Sequence, residues 1–277
     1  GDDLAALLAE GAERSGVALA RGVLVVCQKV VSKAEGRLVP LAGVEPSALA
    51  SEIAREQGKD PRHIEVVLRE TKRIVRRAGS VLICETHHGF VCANAGVDLS
   101  NAPGADVAVL LPVDPDASAA QLCEALCARG ARELAVVVSD TFGRPWREGL
   151  VDVAIGSAGL APMDDARGSL DRAGRELQVT AMATPDQLAA AAGLLMEKAS
   201  GVAAVWIDGV APEGEGRLRD LLRDAPQGAY GPLPDGADPV LAAIVERAMH
   251  VDPAGRYAAA DEFADELTRF AAVCRTV

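Results

Sequence analysis

Residues 133–141, Glu-Leu-Ala-Val-Val-Val-Ser-Asp-Thr, decide the fold class. An apolar, β-branched run of this length over Glu133–Ser139 reads as a buried strand. It stops at Asp140-Thr141, polar residues at the end of an apolar strand, where α/β proteins tend to place their sites. Just before it, Ala117–Arg129 has the pattern of a helix. Working outward, Gly22–Val31 (GVLVVCQKVV) reads as a second buried strand. Further short strands are expected at Val81–Glu85, Gly89–Cys92, Ala105–Leu111, Leu150–Ile155, Leu177–Ala183 and Ala203–Ile207. Helices are expected from a cap at Asp2 or Asp3 through Leu4, Leu7 and Leu8 to Ser15-Gly16, and over Pro46–Gln57. Two more start at Asp60-Pro61, running through Val66, Val67 and Thr71, and at Thr184-Pro185-Asp186, running to Lys198. Strands and helices interleave without a regular βαβ period, which predicts an α+β (mixed α/β) fold.

Composition narrows the function classes. The chain has 277 residues, 49% hydrophobic and 25% charged, with only 3% aromatic: 2 Trp, 2 Tyr and 4 Phe. Its core must therefore be built from Ala, Val, Leu and Ile, and a platform that stacks nucleic-acid bases is not expected. A formal net charge of −12 also repels a phosphate backbone. Apolar runs such as Ala105–Pro112 fall far short of the ~20 residues of a membrane span. The chain opens Gly1-Asp2-Asp3, acidic where a secretory leader is basic, so a cytoplasmic location is expected. Six cysteines are sparse, and Cys27, Cys84, Cys92 and Cys274 sit in apolar stretches, as in a reduced compartment. Cys123 and Cys127 share a helix face without a second Cys or His pair, which favours packing over zinc.

Three Pro and three Gly in Ala225–Asp238 mark a change of character. The expected organisation is a main domain over 1–227, a linker over 228–238 and a helical tail over 239–277.

Three loops carry the candidate chemistry. In Gln28-Lys29-Val30-Val31-Ser32-Lys33-Ala34-Glu35-Gly36-Arg37, lysines and a glycine after a strand suit a polyphosphate, although the Walker A spacing is absent. A solvated basic turn explains the segment equally well. In residues 85–101, Asn94, Asp98 and Asn101 crowd oxygen groups that suit Mg²⁺ or Mn²⁺; an Asx-rich turn is the plainer explanation. His87 and His88 alternate direction if strand-borne, so they form no metal clip. In residues 139–147, Asp140-Thr141 resembles a strand-end metal pair, and Arg144 and Arg147 suit a phosphate or carboxylate. Phe90, Phe142 and Trp146 fall in these loops, which makes the scarce aromatics a pointer to the pocket.

Together, QKVVSKAEGR, ETHHGFVCANAGVDLSN and SDTFGRPWREGLVDVAIGSAGLAPMDD resemble the CofE family of coenzyme F420-0:L-glutamate (gamma-glutamyl) ligases, most of all the ligase half of the actinobacterial FbiB proteins. The resemblance covers residues 1–223. It implies a two-part α+β ligase fold in an intertwined homodimer. It also implies a reaction in which GTP phosphorylates the F420-0 carboxylate and the amine of L-glutamate displaces phosphate, further glutamates joining through γ-linkages. By the same resemblance Gln28, Lys33 and Asn101 contact GTP. Asp98, Asp140, Thr141 and Glu197 hold Mg²⁺ or Mn²⁺ at two sites, and K⁺ is a further cation. Asn94, Arg144 and Arg147 remain candidates for substrate or phosphate.

Two departures shape the expectations. Family members carry a strand and a G-I-P-E-like GTP loop ahead of Gly1-Asp2-Asp3, and these are expected to be missing. Residues 239–270, around Asp252-Pro253 and Arg256-Tyr257, resemble the last helices of a bacterial Ser/Thr kinase lobe, without kinase catalytic motifs. The second reading is accordingly a degenerate, non-catalytic ligase domain that binds partners through this tail.

Overall fold

Asp3 starts the first helix, its carboxylate accepting from the Ala6 N–H at 2.9 Å. In the computed structural model, which describes residues 2–104, 106–144, 147–210 and 213–223 with 262, 265 and 266, the elements then follow in order. They are α1 (Leu4–Arg14), β1 (Ala20–Cys27), α2 (Gln28–Ala34), β2 (Leu38–Pro40), α3 (Ala48–Gln57), α4 (Pro61–Arg69), β3 (Thr71–Ala78), β4 (Val81–Thr86), β5 (Val91–Ala93) and β6 (Val107–Val109). After these come α5 (Pro115–Ala128), β7 (Arg132–Arg144), β8 (Arg147–Ala158), β9 (Asp164–Asp165), β10 (Ala181–Met182), α6 (Thr184–Gly193) and β11 (Ala204–Asp208). The fold is mixed α+β. No helix among the described residues is long and apolar enough to cross a membrane.

The central sheet has the order β11-β1-β7-β8. β1 runs parallel to β7, and the other two pairings are antiparallel. Its core is aliphatic, with Val23, Val25, Val136 and Val137 fully buried under Leu126 and Ile155. A second core gathers Ile53, Ile64, Leu82 and Ala108 between α3, α4 and the antiparallel sheet β3-β4-β5. Both cores lie in one compact unit, Gly1–Leu222. The linker and the kinase-like tail expected beyond residue 227 lie outside the described residues, apart from residues 262, 265 and 266.

Four local expectations are corrected. The strand expected over Gly22–Val31 ends at Cys27, where its parallel ladder ends opposite Ser139, and Gln28 opens α2. A short run of valines fits a buried helix as well as a strand. The helix expected to continue through Thr71 stops at Arg69, and residues 71–78 form β3 instead. Four cations in TKRIVRRA hid that strand; three of them are paired, Lys72 and Arg73 with buried Glu85 and Arg77 with Glu52 and Glu56. Leu177–Ala183 is strand only at Ala181–Met182. The helix from Thr184 ends at Gly193 rather than Lys198, and Ser200 Oγ closes the following turn on the Glu197 carbonyl and the Val202 N–H.

Asp116 ties α5 to the sheet. Its buried Oδ1 accepts from the N–H groups of Ser157 and Leu218, both at 3.0 Å. Asp116→Ala leaves two buried donors unmatched, at a cost of about 2 kcal/mol. For a domain of this size that predicts a melting temperature lower by about 4–8 °C, read by thermal unfolding. An unchanged melting point would show that Asp116 is not such a tie.

Candidate active site

A cleft of about 230 Å³ opens where the parallel ladder of β1 and β7 ends, at Cys27 and Ser139. Four sources feed it besides these strands: α2, the loop after β5, β8 and the segment between α6 and β11. Of the residues expected to carry chemistry, Lys33, Asp98, Asn101, Asp140, Thr141 and Glu197 all line it. These six are brought together from positions up to 164 residues apart, by topology rather than by sequence proximity.

Each is placed by an identifiable local device. Asp98 sits at a two-way backbone bridge with Val109, which fixes the loop against β6. The backbone before it is tightly wound, with positive φ at Asn94 (51°), Ala95 (52°) and Gly96 (72°). At Ala95 that conformation costs free energy, held by packing of its buried side chain. Asn101, at φ 55°, donates from Nδ2 to the Lys198 carbonyl at 3.2 Å and so joins the loop after β5 to the segment after α6. Glu197 is exposed on that segment. Asp140 and Thr141 follow the buried part of β7, just past a register shift between Val138 and Ser139.

Two residues of the cleft escaped the motif reading. Lys29 was seen only as one of the cations of its segment. Its ammonium lies 2.6 Å from Asp98 Oδ2 and 2.6 Å from Ser100 Oγ. The partner is 69 positions away, and only the fold reveals it. Asp152, on β8, pairs in register with Thr141, whose hydroxyl donates to Asp152 Oδ1 at 2.6 Å. A single acidic residue in the apolar run LVDVAIG gave no sign of it.

The charges are arranged in opposition. Burial works to raise the pKa of Asp98, but hydrogen bonds from Lys29 and from Ser100 overcome it and hold the carboxyl down at about 2. Asp140 goes the other way. Burial pushes it up to about 6, and the Asp98 and Asp152 carboxylates add to the rise against the pull of the Thr141 N–H and Lys29. Cys27 at the cleft wall is also pushed up, first by burial and then by the Asp140 and Asp152 carboxylates, so it stays a thiol rather than a nucleophilic thiolate. A cleft with one firmly ionised carboxylate, one whose ionised form is disfavoured, and ammonium groups beside them suits a bound cation together with an anionic substrate.

Four expected site residues are placed elsewhere. Gln28 is 2% exposed, and its amide donates to Ser32 Oγ and to the Leu110 carbonyl. Asn94 Oδ1 faces Lys59 Nζ at 3.4 Å. Arg144 donates to the Glu148 carbonyl at the far end of the β7–β8 hairpin, and exposed Arg147 starts β8 there. None of the four lines the cleft. The aromatic pointer is also corrected. Phe90 is buried in the first core, stacked on His88 and edge-on to Phe142 at 6.3 Å, and neither phenylalanine lines the cleft. Trp146 lies outside the described residues. His87 and His88 occupy the turn after β4, not a strand.

Carboxylates held beside ammonium groups in a cleft over an α+β core suit an enzyme site, and comparison with known proteins gives the class: an acid–amino-acid ligase. The profile of the F420-0:gamma-glutamyl ligase family matches residues 1–209, and the chain belongs to that family. It is 45% identical over 229 residues to the coenzyme F420:L-glutamate ligase of Methanothermobacter thermautotrophicus, covering 80% of this chain and 90% of that protein. With the enzyme of the same name from Methanopyrus kandleri it shares 49% over 230 residues, 80% of this chain and 89% of the relative. The Archaeoglobus fulgidus protein, also a coenzyme F420:L-glutamate ligase, shares 40% over 225 residues, 80% and 88% of the two chains.

Proposed function

We propose that this chain joins L-glutamate to the terminal carboxylate of coenzyme F420-0, with GTP as phosphoryl donor, and then adds further glutamates through γ-linkages. The observation that carries the reading is the convergence of Asp98, Asn101, Asp140, Thr141, Lys29 and Lys33 on one cleft, in a chain that shares 40–49% identity with named coenzyme F420:L-glutamate ligases.

The chemistry asks for such a cleft. A carboxylate is a poor acyl donor. Its oxygen attacks the γ-phosphorus, the bond to the β-phosphate oxygen breaks, and GDP leaves an acyl phosphate. The glutamate amine, having lost a proton, attacks the acyl carbon, and phosphate departs as the amide forms. Two anions must first be brought together, which needs cationic groups that are already oriented. Lys29 and Lys33 supply them from one face of the cleft.

The donor set fits a divalent cation of the Mg²⁺ or Mn²⁺ type. Asp98, Asp140 and Thr141 offer hard oxygens, and the disfavoured ionised form of Asp140 is relieved by a positive neighbour. Among the described residues no three Asp, Glu, His or Cys side chains form a ready-made cage. Such a cation supplies neutralisation of the phosphate charge. Asp98, Asp140, Thr141 and exposed Glu197 would hold it, at two sites, and K⁺ is a further cation for the same carboxylate-rich cleft. A homodimer is part of the proposal, supported by exposed apolar side chains at Leu170, Val179, Met182, Leu194 and Leu195.

Incubation of the full chain with F420-0, GTP, Mn²⁺ and L-glutamate tests the reading. Mass spectrometry is expected to show F420-0 gaining glutamyl units, with GDP and phosphate released one for one. GTP left intact beside unmodified F420-0 would favour the non-catalytic, partner-binding reading.

A further inference from the structure

A threonine hydroxyl has one proton to give and two lone pairs to offer. At the cleft it either donates to an anion or, with its proton committed elsewhere, accepts a cation. Thr141 is committed. Its register partner across the β7–β8 ladder is Asp152, whose Oδ1 takes the hydroxyl proton at 2.6 Å. Among the described residues Asp152 has no ion-pair partner, so nothing competes for that oxygen. Its other oxygen is given room by the end of α6. A Cβ built on Gly193 would lie 2.6 Å from Asp152 Oδ2 and 2.9 Å from its Cγ, so a larger residue there would push the Asp152 carboxylate aside. Both Thr141 and Asp152 line the cleft.

We propose that Asp152 is a positioning residue of the ligase site: by holding the Thr141 proton it turns the threonine oxygen into an acceptor and gives that point of the cleft its preference for a divalent cation over a phosphate oxygen. The inference rests on the reading of the cleft as a cation site. It assigns Asp152 a role through Thr141 rather than direct contact with the ion, and it makes Gly193 the residue that leaves Asp152 its place.

Titration of the nucleotide-free full chain with Mn²⁺, followed by electron paramagnetic resonance of the free ion, tests it without turnover. Asp152→Ala is expected to weaken Mn²⁺ binding about 10–100-fold, the usual effect of losing an outer partner of a ligand. Thr141→Val is expected to weaken it comparably, and Thr141→Ser to retain it. The deciding measurement is the double variant. Adding Asp152→Ala to Thr141→Val is expected to cost no more than about threefold further, because the group through which Asp152 acts is already gone. An equal loss in both backgrounds would make Asp152 a direct ligand or a mere source of negative charge, and would overturn the proposal while leaving the cation site standing. Absence of Mn²⁺ binding by the unsubstituted chain would overturn the cation-site reading and this inference with it. Asp152→Asn keeps an acceptor oxygen and the side-chain shape; it is expected to lose less than Asp152→Ala, and it serves if the alanine variant does not fold.

Discussion

Asp140→Ala is expected to lower glutamyl transfer by about a thousandfold or more while leaving the fold intact. The residue stands where the apolar run of β7 ends, and burial together with the Asp98 and Asp152 carboxylates pushes its pKa up to about 6. A carboxylate in that setting weakens the protein, as expected of a group that works on the proposed cation and substrate. Removing it relieves repulsion in the cleft and deletes few packing contacts, so the melting temperature should hold within a few degrees or rise. The loss of rate reflects an electrostatic contact needed at the transition state. Single preorganised contacts of that kind contribute about 10²–10³, and a ligand whose loss also weakens a cation contributes more. Product formation by mass spectrometry and thermal unfolding on the same sample read both halves. Turnover like that of the unsubstituted chain would remove Asp140 from the chemistry, and a fall of more than about 8 °C would make it a structural residue.

Much of the site was legible in the sequence because strand ends announce themselves. ELAVVVS stops at Asp140-Thr141, and the cleft is where it stops. Asp98, Asn101 and Lys33 were legible as candidates beside plainer readings, since an Asx-rich loop or a charged turn has the same local pattern whether or not it faces a pocket, and Glu197 was legible only through the family resemblance. Gln28 shows the limit of carrying a family role onto one residue. The resemblance implied a GTP contact there, and in the structure its amide is satisfied inside by Ser32 and Leu110. Lys29 and Asp152 were not legible for a different reason. Their roles are pairwise, one with a partner 69 positions away and one set by hairpin register, and register depends on the shift at Val138/Ser139 that no composition reveals. The missed strand β3 has a third cause. Its cations look like a solvated helix face until Glu52, Glu56 and buried Glu85 are seen to pair with them.

Lys29→Met is expected to move two quantities in opposite directions. Turnover should fall about a hundredfold, and the affinity of the nucleotide-free chain for Mn²⁺ should rise several-fold. Both oxygens of Asp98 are engaged in the structure: Oδ1 by the Ser100 N–H at 2.8 Å, Oδ2 by the Ser100 hydroxyl at 2.7 Å and by Lys29 Nζ at 2.6 Å. The Lys29 side chain is 13% exposed and that of Asp98 41%, so their attraction is screened by solvent from the Asp98 side only. Any cation approaching Asp98 meets that ammonium first. Methionine fills nearly the same volume without charge, and Ser100 still orients Asp98, so the carboxylate remains in place and its competitor is gone. The turnover loss arises elsewhere in the cycle. With two anionic substrates in the cleft, the Lys29 ammonium is one of the two lysine charges that line it, and a point charge on a flexible stem is suited to move from a carboxylate to a phosphoryl oxygen. Mn²⁺ titration and the mass-spectrometric assay measure the two effects separately. Weaker Mn²⁺ binding in the variant would mean that Lys29 orders Asp98 instead of competing for it. Undiminished turnover would mean that the ammonium never leaves the carboxylate during catalysis.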